Sequence, residues 1–390
     1  MTTIIKNGYL HTCEDGDIKN GYICFADGKI TGVGAMEQFD ASCYPGAEVI
    51  DAAGAHIAPG FIDAHCHIGM WEDSMDFEGA DGNEDTDPIT PHLRAIDAVN
   101  PFDRCFGDAL RAGITTVVTG PGSANVIGGQ FAALKTCGHS IDQMLLKAPL
   151  AMKFALGENP KSTYHSKNQT PVTRMGMAAL LRETLFKAAE YRQAKRDYEA
   201  APEDNDKPDY DIKLEALLPL LNKEIPAKVH AHRADDIMSA IRIAKEFDIN
   251  ITIEHATEGS LICDILKEEQ LPLMVGPALC ERCKIELRNS SFENYKILSD
   301  AGLDIAIITD HPVVPIEFLP LCASLAVKNG MDEDAALRAI TIHAANNCGI
   351  DSRVGSLRVG KDADIVLLDR HPVDFYAKVC GVWVNGSRAV

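Results

Sequence analysis

Seven short apolar runs alternate with stretches of helical period through the middle of this 390-residue chain, and that alternation limits the fold more than any other feature. The runs are FIDAHCH (61–67), GITTVVTG (113–120), LAMKFALG (150–157), AKVHAH (227–232), INITIEHA (249–256), LPLMVG (271–276) and LDIAIITD (303–310). Helical patterns such as RADDIMSAIRIAKEFD and EGSLICDILKEEQ follow several of them. Strand-then-helix alternation predicts a parallel sheet with crossover helices. One further weak strand, expected between residues 128 and 150, brings the count to the eight of a closed α/β barrel, (β/α)8 and TIM-like. An open doubly wound sheet is the competing architecture, but no G-x-G-x-x-G follows an early strand, so its usual nucleotide-binding signature is missing.

The ends of the chain read differently. TIIKNGYLHT and GYICFADGKITGVG are strand-like runs with a favoured hairpin turn at Asp27-Gly28, and the texture returns in ADIVLLD and GVWVNGSRAV with a turn at Asn385-Gly386. The expectation is one small β-sandwich built from residues 1–58 and 346–390, flanking a barrel over residues 59–345.

Composition excludes several classes of function. A net charge of −20 repels nucleic acid and anionic membrane at long range, and no apolar run approaches the ~18 residues that span a bilayer. The opening MTTIIKNGYL carries no secretion pattern, and twelve scattered cysteines read as reduced thiols, which points to the cytoplasm. Acidic runs at 72–87 and 199–211 read as solvated loops, with weak attraction for divalent ions as the lesser alternative.

In a barrel the chemistry sits at the carboxyl ends of the strands. His65 and His67 share one face of the first run because side chains alternate with period two, and His230 and His232 repeat the arrangement. His255 closes one strand and Asp310 another. Five of the 13 histidines and one aspartate at apolar strand ends would be costly unless they converge on something, and a divalent transition metal suits neutral imidazole and carboxylate. His11, His92, His139, His165, His343 and His371 give no such strand-end pattern.

With these residues in place, PGFIDAHCHIG, HAH, IEHA and ITDHP resemble the amidohydrolase superfamily of metal-dependent barrel hydrolases. The closing VGSLRVGKDADIVLLD is similar to that superfamily's return to its β-sandwich. GPGSANVIGGQ, ALGENPK, HAHRADDI and TDHPVVPIEFLP look closest to the imidazolonepropionase-related and prolidase-like branch. The resemblance implies that His65, His67 and Asp310 hold a first metal, that His230 and His255 hold a second where the centre is binuclear, and that the fourth strand bridges them. Lys153, once carboxylated, and Glu158 compete for the bridge; Glu158 needs no carbon dioxide, and the reading leans to it. In single-metal relatives neither bridges and His255 contacts substrate.

It further implies hydrolysis of a C–N bond in a small molecule by metal-activated hydroxide. Asp310 is the general acid and base, and His232 or His255 polarises the carbonyl. Zinc is the first expectation for one or two ions, with manganese, iron and nickel also suited, and the superfamily allows a homo-oligomer. Asn125, Gln130, Arg233, Arg282 and His311 are candidates for substrate contact near presumed strand ends. Cys280 and Cys283 form a CxxC without the second pair that a structural zinc site requires. Ring deamination is the competing activity, and a non-catalytic scaffold the competing class.

Overall fold

The computed structural model describes residues 2–390. The two ends of the chain build one sheet. It comprises β1 (Thr3–Leu10), β2 (Ile18–Ala26), β3 (Lys29–Ala35), β4 (Glu48–Asp51) and β5 (His56–Pro59), joined by β14 (Ile365–Leu368), β15 (Val379–Val384) and β16 (Ser387–Arg388). The joint is an antiparallel ladder in which Ile365 faces Pro59 and Leu368 faces His56. Both anticipated hairpin turns form with the two positive φ values that a twisted two-residue loop demands: 52° and 79° at Asp27-Gly28, 48° and 74° at Asn385-Gly386. The sheet branches at a bulged β1, whose first half pairs with β4 and whose end pairs with β5.

Between the ends lie the barrel strands β6 (Phe61–Cys66), β7 (Ile114–Thr119), β8 (Ile127–Lys135), β9 (Leu145–Ala155), β10 (Ala227–Ala231), β11 (Ile251–His255), β12 (Leu273–Val275) and β13 (Ile305–Ile307). They pair in sequence order to make a TIM-like barrel. The strand expected near residues 128–150 is β8, but it runs antiparallel to both neighbours. Chain length is the reason. A parallel crossover needs a dozen or more residues, usually a helix, whereas residues 120–126 form a short loop and residues 136–144 hold only the helix Ile141–Met144.

The seam between β13 and β6 is drawn together by backbone bonds from Asp310 N–H to His65 O (3.2 Å) and from His67 N–H to His311 O (2.9 Å). The barrel is fastened to the end sheet by the buried Lys135 ammonium of β8, which pairs with Asp364 and lies 3.1 Å from Asp362. Helices Glu158–Ser166, Arg174–Ala200 and Ile212–Leu221 fill the long connection from β9 to β10, and the acidic 199–211 run links the last two. No helix among the described residues is long and apolar enough to cross a membrane.

Candidate metal centre

Strand geometry delivers six donors to one end of the barrel. His65 lies on β6 with His67 just past its end, His230 on β10 with His232 just past, His255 ends β11, and Asp310 follows β13. They form two groups, His65–His67–Asp310 and His230–His232–His255, each with ligand atoms within 4.8 Å of one another. Asp310 Oδ1 stands 3.2 Å from His67 Nε2 and 3.6 Å from His65 Nε2. The groups adjoin: the His65 and His255 ring centres are 5.5 Å apart, and His255 stacks on His232 at 4.3 Å.

The ring contacts suit cation binding. Nδ1–H of His67 donates to Gly120 O (2.7 Å) and that of His255 to Gly276 O (2.8 Å), while His232 Nδ1 lies 2.7 Å from Thr257 Oγ1. Anchoring Nδ1 fixes the tautomer and leaves the Nε2 lone pair for a metal. Burial holds His65, His230 and His255 neutral, with pKa values well below the ordinary imidazole range, and lowers His232 to about 4. For Asp310 burial alone would raise the pKa, but His255 and the hydrogen bond with His67 outweigh it and hold the carboxyl at about 2. Neutral imidazoles around an ionised carboxylate are the donor set of a divalent transition metal.

Backbone strain helps to aim two of these groups. His255 (φ 75°) and Asp310 (φ 52°) both occupy the left-handed region, which non-glycine residues seldom enter. At His255 the turn breaks strand alternation, so that Glu254 and His255, adjacent in sequence, both reach the centre.

The fourth-strand alternatives separate clearly. Lys153 is fully buried, with Nζ 3.3 Å from His65 Nε2, and burial pushes its ammonium down to about 8. Glu158 lies outside the two donor groups. The strand ends at Ala155 and Gly157 (φ 96°) turns the chain, so Glu158 opens the next helix and its carboxylate accepts from Glu286 N–H (3.1 Å). Of the two, Lys153 is the one that stands beside the donor groups.

Other anticipated residues also serve elsewhere. Asn125 is buried under a loop, donating to Thr90 Oγ1 and Glu84 O at 2.8 Å and accepting from Tyr164. Gln130 lies on β8 beside a separate small cavity with Arg94 and Pro149. Arg233 pairs with Asp235 at 2.8 Å, and Arg282 donates to Ser290 O at 2.6 Å, bracing its own loop. His311 turns toward Asp103 and Cys105. Cys280 and Cys283 line a cavity of about 290 Å³ that opens onto His230, His232 and Asp310.

Two buried carboxylates were missed. Glu286 Oε1 has no hydrogen-bond partner and lies 3.6 Å from His230 Nε2 and 3.7 Å from His232 Nε2. Glu254 Oε2 sits 2.7 Å from His65 Nδ1 and 2.9 Å from Lys228 Nζ, and Thr252 Oγ1–H donates to its Oε1 (2.5 Å). For Glu254 and Lys228 the sequence did carry a mark: each is a charge inside an apolar strand, one or two places before a histidine.

Comparison with known proteins agrees with this geometry. Residues 223–389 match the model of the Amidohydrolase family. The solved structure of an amidohydrolase from Thermotoga maritima MSB8 superposes with a TM-score of 0.95 at 39% identity, covering 100% of this chain and 99% of that one. Amidohydrolase tasK of Hapsidospora irregularis is 29% identical over 87% of this chain and 37% of its own length. An adenine deaminase of Listeria monocytogenes is 28% identical over 94% of this chain and 54% of its own, and imidazolonepropionases are among the curated relatives too. The chain thus spans about a third to a half of those first two relatives. Matched end to end by the Thermotoga protein in sequence and in fold, it belongs to the amidohydrolase family.

Proposed function

We propose that this protein is a metal-dependent hydrolase of C–N bonds in a small molecule, an open or cyclic amide. The observation that carries the reading is the convergence of two buried donor groups on one barrel mouth, with Lys153 beside His65. His65, His67 and Asp310 would hold one divalent ion, and His230 and His255 a second, with zinc the first expectation and manganese, iron or nickel also suited. Such an ion supplies an acidified water, and so hydroxide near neutral pH.

The chain's own residues do the rest. Lys153, as the free amine, adds to carbon dioxide through a new N–C bond and releases a proton, becoming a carbamate anion able to bridge. The Asp310 carboxylate accepts the proton of the attacking water and returns it to the leaving nitrogen. His232, which lines the cavity, would polarise the scissile carbonyl. The small cavity favours a small substrate. Twelve free cysteines support a cytoplasmic location.

Ring deamination is a second reading, supported by the adenine deaminase relatives and by Glu286, an extra carboxylate beside His230 and His232. Elemental analysis of the purified protein, followed by a screen of cyclic amides, acyl amino acids and aminated rings with the matching metal, tests both. Ammonia release from an aminated ring, leaving a carbonyl on that ring carbon, selects deamination. Protein without bound metal and without turnover after reloading overturns both.

A further inference from the structure

Joined to the candidate centre through His311, which follows Asp310 directly, is a third group of donors: Asp103, Cys105 and His311, with ligand atoms within 4.8 Å of one another and all three residues buried. His311 is 4% exposed, and neither of its ring nitrogens has a hydrogen-bond partner. A buried imidazole is ordinarily satisfied at one nitrogen at least. The Asp103 carboxylate accepts backbone N–H groups from Cys105 (3.0 Å) and Gly69 (3.2 Å), which position it at the head of helix Arg104–Arg111 while each oxygen keeps a free lone pair.

We propose that Asp103, Cys105 and His311 form a separate binding site for a thiophilic divalent ion of the zinc type. The chemistry fits in three respects. One thiolate, one imidazole and one carboxylate are zinc's usual donors, and a spread of at most 4.8 Å lies within small side-chain rotations of the ~3.5 Å between ligands of a tetrahedral ion. Coordination releases the Cys105 proton to solvent and leaves two negative ligand charges against the ion's two positive ones, so the buried site is neutral. Asp73, a carboxylate 3.5 Å from Arg104, lies near enough for its charge to bear on both Cys105 and His311. Because His311 follows Asp310 directly and its carbonyl accepts from His67 N–H, an ion here would brace the backbone that presents Asp310.

The signature is sulfur. The two donor groups of the candidate hydrolytic centre hold only nitrogen and oxygen, and the cysteines of its cavity, Cys280 and Cys283, are controlled for below, so this site and that reading can fail independently. Titration of the metal-free full chain with cobalt(II) should give a thiolate-to-cobalt charge-transfer band, and X-ray absorption of the zinc form should show one sulfur at about 2.3 Å. Cys105→Ser should abolish the sulfur signature and lower the bound metal by one ion per chain. The Cys280→Ser/Cys283→Ser protein should keep the signature. Wild-type protein with no sulfur in its metal shell overturns the proposal whatever the variants do. So does a sulfur signal that survives in Cys105→Ser, or one lost in the Cys280/Cys283 variant. Should Cys105→Ser not fold, His311→Gln must weaken the cobalt band instead.

Discussion

Glu254 Oε2 stands 2.7 Å behind His65 Nδ1, on the side of the ring away from Asp310, and the same oxygen is 2.9 Å from the buried Lys228 ammonium. A carboxylate in this position orients the imidazole and raises its basicity as a ligand, and such partners commonly account for 10- to 100-fold in metal affinity. Glu254→Gln should weaken metal binding by about that factor. It should also destabilise the fold by on the order of 3 kcal/mol, because Lys228 loses its counter-charge in the barrel interior. Metal titration and denaturant unfolding read the two effects separately, and unchanged values in both would refute the role.

Lys153 and Glu158 give opposite expectations. Lys153→Ala should lower turnover roughly 100-fold or more, the scale on which ligand-shell losses act. Glu158→Gln, altering a carboxylate that accepts from a backbone N–H of the neighbouring loop, should stay within about 2-fold on the same reasoning. Reloading metal-free wild type in carbon-dioxide-free buffer should leave it inactive until bicarbonate is added. Equal recovery with and without bicarbonate would remove the carbamate.

Asp310→Asn retains the shape but loses the proton acceptor. The expected fall in kcat is about 10²- to 10⁴-fold, the usual range for general acid and base groups, with the circular dichroism spectrum unchanged. Turnover at the wild-type rate in that variant would contradict the proton path.

Several buried histidines make the metal-free protein acid-labile. Burial lowers His11 to about 3 and both His232 and His311 to about 4, each against an ordinary value of 6.5. The unfolded chain therefore takes up protons first as pH falls. The stability these groups contribute is full above about pH 6.5 and is lost towards pH 4 and below, at about 1.4 kcal/mol per pH unit for each. Asp63, raised to about 7 by burial, works in the opposite sense between pH 4 and 7 and offsets one of them. Midpoints of denaturant unfolding at intervals from pH 7 to 4 should fall, and His11→Gln should flatten the slope. A rise on acidification would contradict the assignment.

The residues most legible in the sequence were those that break a local rule. His65, His67, His230, His232, His255 and Asp310 are polar groups closing apolar strands, and burial there demands a reason. The reversal of β8 was missed because its apolar content resembles that of a parallel strand; only the short connections at 120–126 and 136–144 mark it. The sequence leaves Lys153 and Glu158 undecided because their separation hangs on the positive φ of Gly157, a backbone fact rather than a chemical one. Glu254 is hidden from strand alternation, which points it away from His255, because the left-handed turn at His255 cancels that rule. Position near a strand end also marks Asn125, Arg233 and Arg282, and their side chains bond to Glu84, Asp235 and Ser290 respectively.

The two hydrogen bonds that draw β13 against β6 belong to the backbone of His65, His67, Asp310 and His311. First and last staves of the cylinder therefore meet where the charge-bearing side chains gather. An ion held there would work as the clasp of a hoop: ring closure assembles the grip, and the grip in turn would oppose the ring's reopening.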